Sequence, residues 1–131
     1  MRLIPGVTPL TEAYWAGARR GELLIQRCSV CGHVWHPPLP RCPECHGASL
    51  SWMPVSGRGQ VYTYTVVYHA THIAMKDKVP YISALIQLEE GPRVLSNLVH
   101  CTEADVRVDM PVHVVFEPLT DEIWLPQFEP S

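Results

Sequence analysis

The sequence predicts a mainly β protein: a short N-terminal helix, a four-cysteine metal ribbon, then a five-stranded OB-fold barrel. Three observations carry that reading. Cys28-Ser-Val-Cys31 and Cys42-Pro-Glu-Cys45 are two C-x2-C pairs with ten residues between them. Leu10, Tyr14, Trp15 and Ala18 recur at helical spacing ahead of them. Behind them, five short runs rich in β-branched and aromatic residues are separated by turn signals. The boundaries follow as 1–26 for the helical segment and its lead-in strand, 27–54 for the ribbon and 55–131 for the barrel.

Within 5–20, Thr8 is placed to cap the helix and Pro9 to fill its first position. Gly17 and Gly21 limit its length. Leu23 to Arg27 reads as a strand feeding the first cysteine turn. A glycine follows each turn closely, Gly32 and Gly47, where the backbone must curl under the sulfurs. The spacer His33-Val-Trp-His-Pro-Pro-Leu-Pro-Arg41 is proline-rich and reads as extended.

Ser56-Gly-Arg-Gly59 reads as a turn into the first barrel strand, Gln60 to Tyr68. Simple alternation puts Tyr62, Tyr64, Val66 and Tyr68 on one face and Val61, Thr63, Thr65 and Val67 on the other. A polar loop, 69–80, leads to a second strand, Tyr81 to Leu88, with Ile82, Ala84, Ile86 and Leu88 on one face. Glu89-Glu-Gly-Pro92 is a hairpin turn, and Arg93 to Val99 the third strand. Thr102-Glu-Ala-Asp105 has the form of a capping box and predicts a short helical turn. Pro111 to Glu117 and Ile123 to Phe128 complete five strands. A helical element between the third and fourth strands is the OB-fold order, and closure hides edges that short strands would otherwise expose.

The chain has 131 residues, enough for one core that buries about two-thirds of the unfolded surface. Its net charge is -3, it has two lysines, and no basic run occurs, so the electrostatic footprint of a nucleic-acid binder is missing. No run of about 18 apolar residues predicts a membrane span. Met1-Arg2-Leu3-Ile4-Pro5 is too short and too broken by proline for a signal peptide. Thiols without a leader point to a reducing compartment, so a cytoplasmic home is expected.

Cys28, Cys31, Cys42 and Cys45 supply the four thiolates of a tetrahedral site, with Zn2+ the expected ion and iron in a rubredoxin-like site the alternative. A catalytic zinc keeps an open position and three protein ligands, whereas four thiolates close the shell, so the structural role is expected. His33, His36 and His46 lie beside the cysteines but are not needed as ligands. His69 and His72 form a His-x-x-His in a loop without a nearby carboxylate, which reads as loop polarity. His113 lies on the opposite strand face from Val112 and Val114 and reads as solvent-facing or interfacial. Cys101 follows His100, and adjacent strand residues point to opposite faces, so the histidine is badly placed as its base. No catalytic constellation stands out. Tyr62, Tyr64 and Tyr68 form an aromatic stripe that could stack on bases, pack on a partner or face an adenine-bearing cofactor. Leu10, Tyr14 and Trp15, with Trp124, Leu125 and Phe128 in the tail, exceed what a small barrel can cover, so a partner is expected.

Tyr14-Trp15, Gly21-Glu-Leu-Leu-Ile-Gln-Arg-Cys28, the paired cysteines around Pro37-Pro38, Ser56-Gly-Arg-Gly-Gln-Val-Tyr62, Pro80-Tyr81 and Asp109-Met-Pro-Val-His-Val-Val-Phe-Glu117 resemble the DUF35 family of zinc-ribbon OB-fold proteins associated with acyl-CoA metabolism. The resemblance covers nearly the whole chain. Asp109 departs from it, standing where the family often has glycine. The resemblance implies a non-catalytic accessory subunit that docks or bridges thiolase-like enzymes making or breaking C–C bonds, or MaoC-like enoyl-CoA hydratases. It also implies help in holding acyl-CoA. Tyr14, Trp15, Trp35, Tyr62 and Tyr64 are the candidates for partner contact, and Arg58, Lys76 and Lys78 for CoA phosphates. A single-strand nucleic-acid module and a free-standing metalloenzyme are the competing classes.

Overall fold

The computed structural model describes residues 5–70, 72–73, 76 and 78–131. Residues 1–4, on which the leader expectation rests, and part of the 69–80 loop lie outside the described residues. One helix, α1 (Glu12–Arg19), precedes a sheet of β1 (Leu23–Cys28), β2 (Val34–Trp35) and β3 (Leu50–Val55) in the order β2-β1-β3. Next come β4 (Arg58–Val67), β5 (Tyr81–Leu88), β6 (Arg93–Leu98), β7 (Pro111–Pro118) and β8 (Trp124–Pro130). They close into a barrel in the order β4-β5-β6-β8-β7, with β7 returning to β4. The pairings are antiparallel except β6 with β8, which meet in parallel at Leu98 and Phe128. This is the expected mainly β, OB-type architecture.

The helix begins one turn later than Thr8 and Pro9 imply. Thr8 and Thr11 bind each other: the Thr8 N–H donates to Thr11 Oγ1 at 3.0 Å and the Thr11 N–H to the Thr8 carbonyl at 3.0 Å. That closes a separate turn and occupies the hydroxyl that would cap the helix, so Thr11 holds the N-cap position without a side-chain cap bond. The far end is a Schellman stop. The Gly21 N–H reaches the Ala18 carbonyl and the Glu22 N–H reaches Gly17, with Gly21 at φ +80°.

The lead-in strand extends to Cys28 and belongs to the ribbon sheet. Leu50–Val55, unrecognised in sequence, is its second long strand, paired along its whole length with β1 from Leu23↔Val55 to Cys28↔Leu50. Pro54 is tolerated there because β3 is an edge strand. β1 also joins the two parts of the molecule. Leu23 and Ile25 are buried in the same cluster as Val61, Ile82, Ile86, Leu88, Val112 and Phe128 of the barrel. The alternation predicted for β5 holds, since Ile82, Ala84, Ile86 and Leu88 all face inward.

The face assignment in β4 does not hold. Val61 pairs with Ile86 but Thr63 pairs with Leu85, so Tyr62 is an extra residue in a bulge. Beyond it the parity flips. Tyr64 and Val66 oppose the inward-facing Ala84 and Ile82, and Tyr62 stands apart from them. The proposed single tyrosine stripe is therefore split. The capping box at Thr102 is also modified: Thr102 Oγ1 donates to Asp105 Oδ2 at 2.9 Å, and the segment is a turn rather than a helix.

Candidate metal centre and its surroundings

Two matched turns build the metal centre. In the first, the Cys28 N–H donates to the His33 carbonyl, the Gly32 N–H to the Cys28 carbonyl, and the Cys31 N–H points at Cys28 Sγ at 3.5 Å. In the second, the Cys42 N–H donates to Gly47, the His46 N–H to Cys42, and the Cys45 N–H points at Cys42 Sγ at 3.5 Å. The left-handed residue is Gly32 in the first turn, but in the second it is His46, at φ +63°, and not Gly47. Equivalence of the bonding, not of the residue type, sets that position.

The four sulfurs converge, all within 4.8 Å of one another, with Cys28–Cys45 at 3.5 Å and Cys31–Cys42 at 3.6 Å. A tetrahedral ion with bonds of about 2.3 Å to sulfur needs edges of about 3.8 Å, so the geometry fits. The charges fit as well. The Cys28 thiol is held down to about 6, first by the Cys31 N–H and then by that of Val30, which favours the ligating thiolate. Cys31 receives a lowering bond from His33 but is pushed up by burial and by the Cys42, Cys28 and Cys45 thiols. A cation that compensates all four removes that conflict. With four thiolates the shell is closed, leaving no position for a reacting water.

The other sequence candidates scatter. Trp35 is 6 % exposed; it packs inside the ribbon with Cys28 and Cys42 rather than standing on its surface. Its ring stacks on His33 at 5.6 Å. Tyr14 packs against the barrel core, contacts Trp15 edge-on at 5.1 Å and lies 5.4 Å from His36; burial pushes its phenol up to about 12 and His36 down. Phe128 is fully buried, so this part of the apolar surplus serves the fold. Tyr62 is 47 % exposed and Tyr68 62 %. Arg58 pairs with Glu89 at 3.2 Å, while Lys76 and Lys78 lie in the loop beyond the far end of β4. A ten-residue strand separates them from Arg58, so the three do not form one cationic patch.

His69, His72 and Lys76 line a groove of about 410 Å³ with Tyr68 and Ile73, and among the described residues no carboxylate lines it. Cys101 is half-buried, its thiol pushed up first by burial, and its Sγ faces the Thr102 carbonyl. His100 turns away to Glu129, 2.7 Å from Nδ1, and His113 meets the other oxygen of Glu129 at 3.2 Å. Sequence reasoning missed this His–Glu–His cluster because its members are far apart in the chain. It also missed Gln26, a polar residue directly after the apolar run Leu23-Leu24-Ile25. Among the described residues, no helix is long and apolar enough to cross a membrane.

Family models described as the ChsH2 rubredoxin-like zinc ribbon domain and the ChsH2 C-terminal OB-fold domain match residues 15–51 and 52–117. A probable enoyl-CoA hydratase alpha subunit of Thermomonospora curvata is 38% identical over 121 residues, 92% of this chain, which spans 37% of that subunit's length. A DUF35 domain-containing scaffold protein of Methanocaldococcus jannaschii is 39% identical over 104 residues, 76% of this chain and 71% of its own. Among solved structures, the Ltp2-ChsH2(DUF35) aldolase superposes with a TM-score of 0.87 at 35% identity, covering 97% of this chain and 98% of that one.

Proposed function

The chain belongs to the DUF35 family, and on that footing we propose that it is a non-catalytic subunit of an acyl-CoA enzyme complex, docked on a thiolase-like catalytic subunit that makes or breaks C–C bonds. The observation that carries this reading is the end-to-end match to a chain of an aldolase assembly, an enzyme type that works on C–C bonds. A thiolate shell closed by four cysteines agrees with it. Zn2+ is the ion this donor set favours; when bound it supplies a rigid, unreactive cross-link. Cys28, Cys31, Cys42 and Cys45 would hold it, and so brace the ribbon against the barrel through β1. Free thiols arranged as ligands rather than bridges favour a reducing compartment, the cytoplasm.

The docking face on this reading includes Trp15 at the helix and Tyr62 on β4, while Tyr64, on the other side of the bulge, would be a separate contact point. Tyr14 and Trp35 support it from within. Any contact with CoA phosphates falls to Lys76 and Lys78, because Arg58 is already paired with Glu89. A second reading, a hydratase complex, is favoured by the 38% identity to an enoyl-CoA hydratase alpha subunit, of which this chain corresponds to about a third. The nucleic-acid reading is weakened by the net charge of -3 and by the bulge that splits the tyrosines. The test is affinity purification of the tagged full chain from its own cells, with the bound protein identified by mass spectrometry. A thiolase-like enzyme supports the first reading and a MaoC-like hydratase the second. A stable monomer accompanied by neither eliminates both.

A further inference from the structure

Between the ribbon and the barrel lies a groove of about 500 Å³, lined on one wall by His33, Trp35 and His36 and on the other by Gln87, Pro92 and Arg93. That volume is in the range of small-molecule sites. Arg93 is fixed in it from two directions. Its guanidinium carbon lies 3.8 Å over the ring of Tyr62, and its Nε donates to Gln87 Oε1 at 2.9 Å. Gln87 is in turn anchored by its own Nε2, which donates to the Gly91 carbonyl at 2.6 Å. The bulge at Tyr62 and the hairpin at Gly91 thus cooperate to aim one arginine. Among the described residues, no carboxylate pairs with it.

An arginine held flat by a ring and a fixed amide has lost its side-chain freedom before any ligand arrives. Its terminal amino groups remain a two-pronged donor for paired oxygens. A carboxylate would use that fork alone. The rings of His33 and His36 line the opposite wall. His33 Nε2 lies 4.0 Å from the Glu44 carboxylate, so His36 is the imidazole left to offer an N–H to a third oxygen. We propose that this ribbon–barrel groove is a binding site for a phosphate group, free or as a monoester, with Arg93 as its anchor. The proposal does not rest on the identity of the catalytic partner, and it is separate from the Lys76 and Lys78 loop.

The experiment is a 1H–15N NMR titration of the zinc-loaded full chain with inorganic phosphate, phenyl phosphate and benzoate at matched ionic strength. Saturable shifts of the Arg93 Nε and Gln87 side-chain signals are expected with phosphate, with benzoate at least tenfold weaker. Response to inorganic phosphate identifies free phosphate as sufficient; response to phenyl phosphate alone identifies an ester. Arg93→Gln should weaken binding at least tenfold. Gln87→Glu, which gives Arg93 an internal carboxylate, should do the same, and it decides the matter if Arg93→Gln misfolds. No saturable shift, an equal response to benzoate, or unchanged affinity in the folded variants would overturn the proposal.

Discussion

The indole Nε1 of Trp35 donates to Oε1 of Gln26 at 2.8 Å, with both residues buried in the ribbon. The same oxygen accepts the Leu39 N–H at 2.6 Å, so one amide ties β1 to β2 and to the proline-rich spacer. Replacing it with leucine strands two donors at once. Each buried unpaired donor costs about 1–3 kcal/mol. Gln26→Leu is therefore expected to lose about 2–4 kcal/mol, read from urea unfolding of the zinc-loaded protein, while Gln60→Leu on an exposed position serves as the control.

Metal removal should act on the ribbon first and then reach the barrel, because Leu23 and Ile25 of β1 are shared by both. Structural zinc in small sites is worth on the order of 10 kcal/mol to folding. Chelation, or Cys42→Ser, is expected to release the ion, collapse the dispersion of ribbon amides and lower the melting temperature of the whole chain. Elemental analysis of the native protein should find one zinc per chain; one iron instead would replace zinc with the rubredoxin-like alternative.

Asp109 sits at φ +68°, with its N–H on the Val61 carbonyl at 2.7 Å. Glycine takes that conformation without the strain an L side chain meets there, worth about 1 kcal/mol for residues that tolerate it. Asp109→Gly is expected to be neutral or stabilising by up to about 1 kcal/mol. Asp109→Val should destabilise, since a β-branched residue is a genuine outlier there. Thermal unfolding of the two variants beside the parent checks the ordering.

The Glu129 carboxyl is held below its ordinary range, first by the hydrogen bond from His100, with His113 adding to it. A carboxylate whose folded pKa is depressed contributes stability above its unfolded pKa and loses it as pH falls through the folded value. The advantage of the parent over Glu129→Gln should therefore be full at neutral pH and shrink below the ordinary glutamate pKa of about 4.3. A difference between the two proteins that stays constant through the acid range would contradict this.

The features readable from sequence were those with local signatures. The paired cysteines, the alternating apolar residues of β5 and the turn residues between barrel strands each announce themselves within a few positions. What escaped depends on partners. Leu50–Val55 is a strand because β1 lies beside it, although Pro54 argues against one. The bulge at Tyr62 carries no glycine to mark it, so simple parity misplaced the tyrosines. Thr8 failed as a helix cap because Thr11 competes for it, and His46 rather than Gly47 takes the left-handed position that bonding equivalence demands. Trp35 reads as docking surface because its partner, Gln26, lies nine positions away and holds its indole nitrogen inside the ribbon.

The claim at the centre of this account is that the ribbon and barrel form a docking subunit with no chemistry of their own. The most direct measurement is the mass, by light scattering, of the zinc-loaded chain mixed with the purified acyl-CoA enzyme that copurifies with it. A stable complex of defined stoichiometry, lost when Cys42→Ser disrupts the ribbon, is the predicted result. Separate elution of the two proteins at micromolar concentration would contradict it.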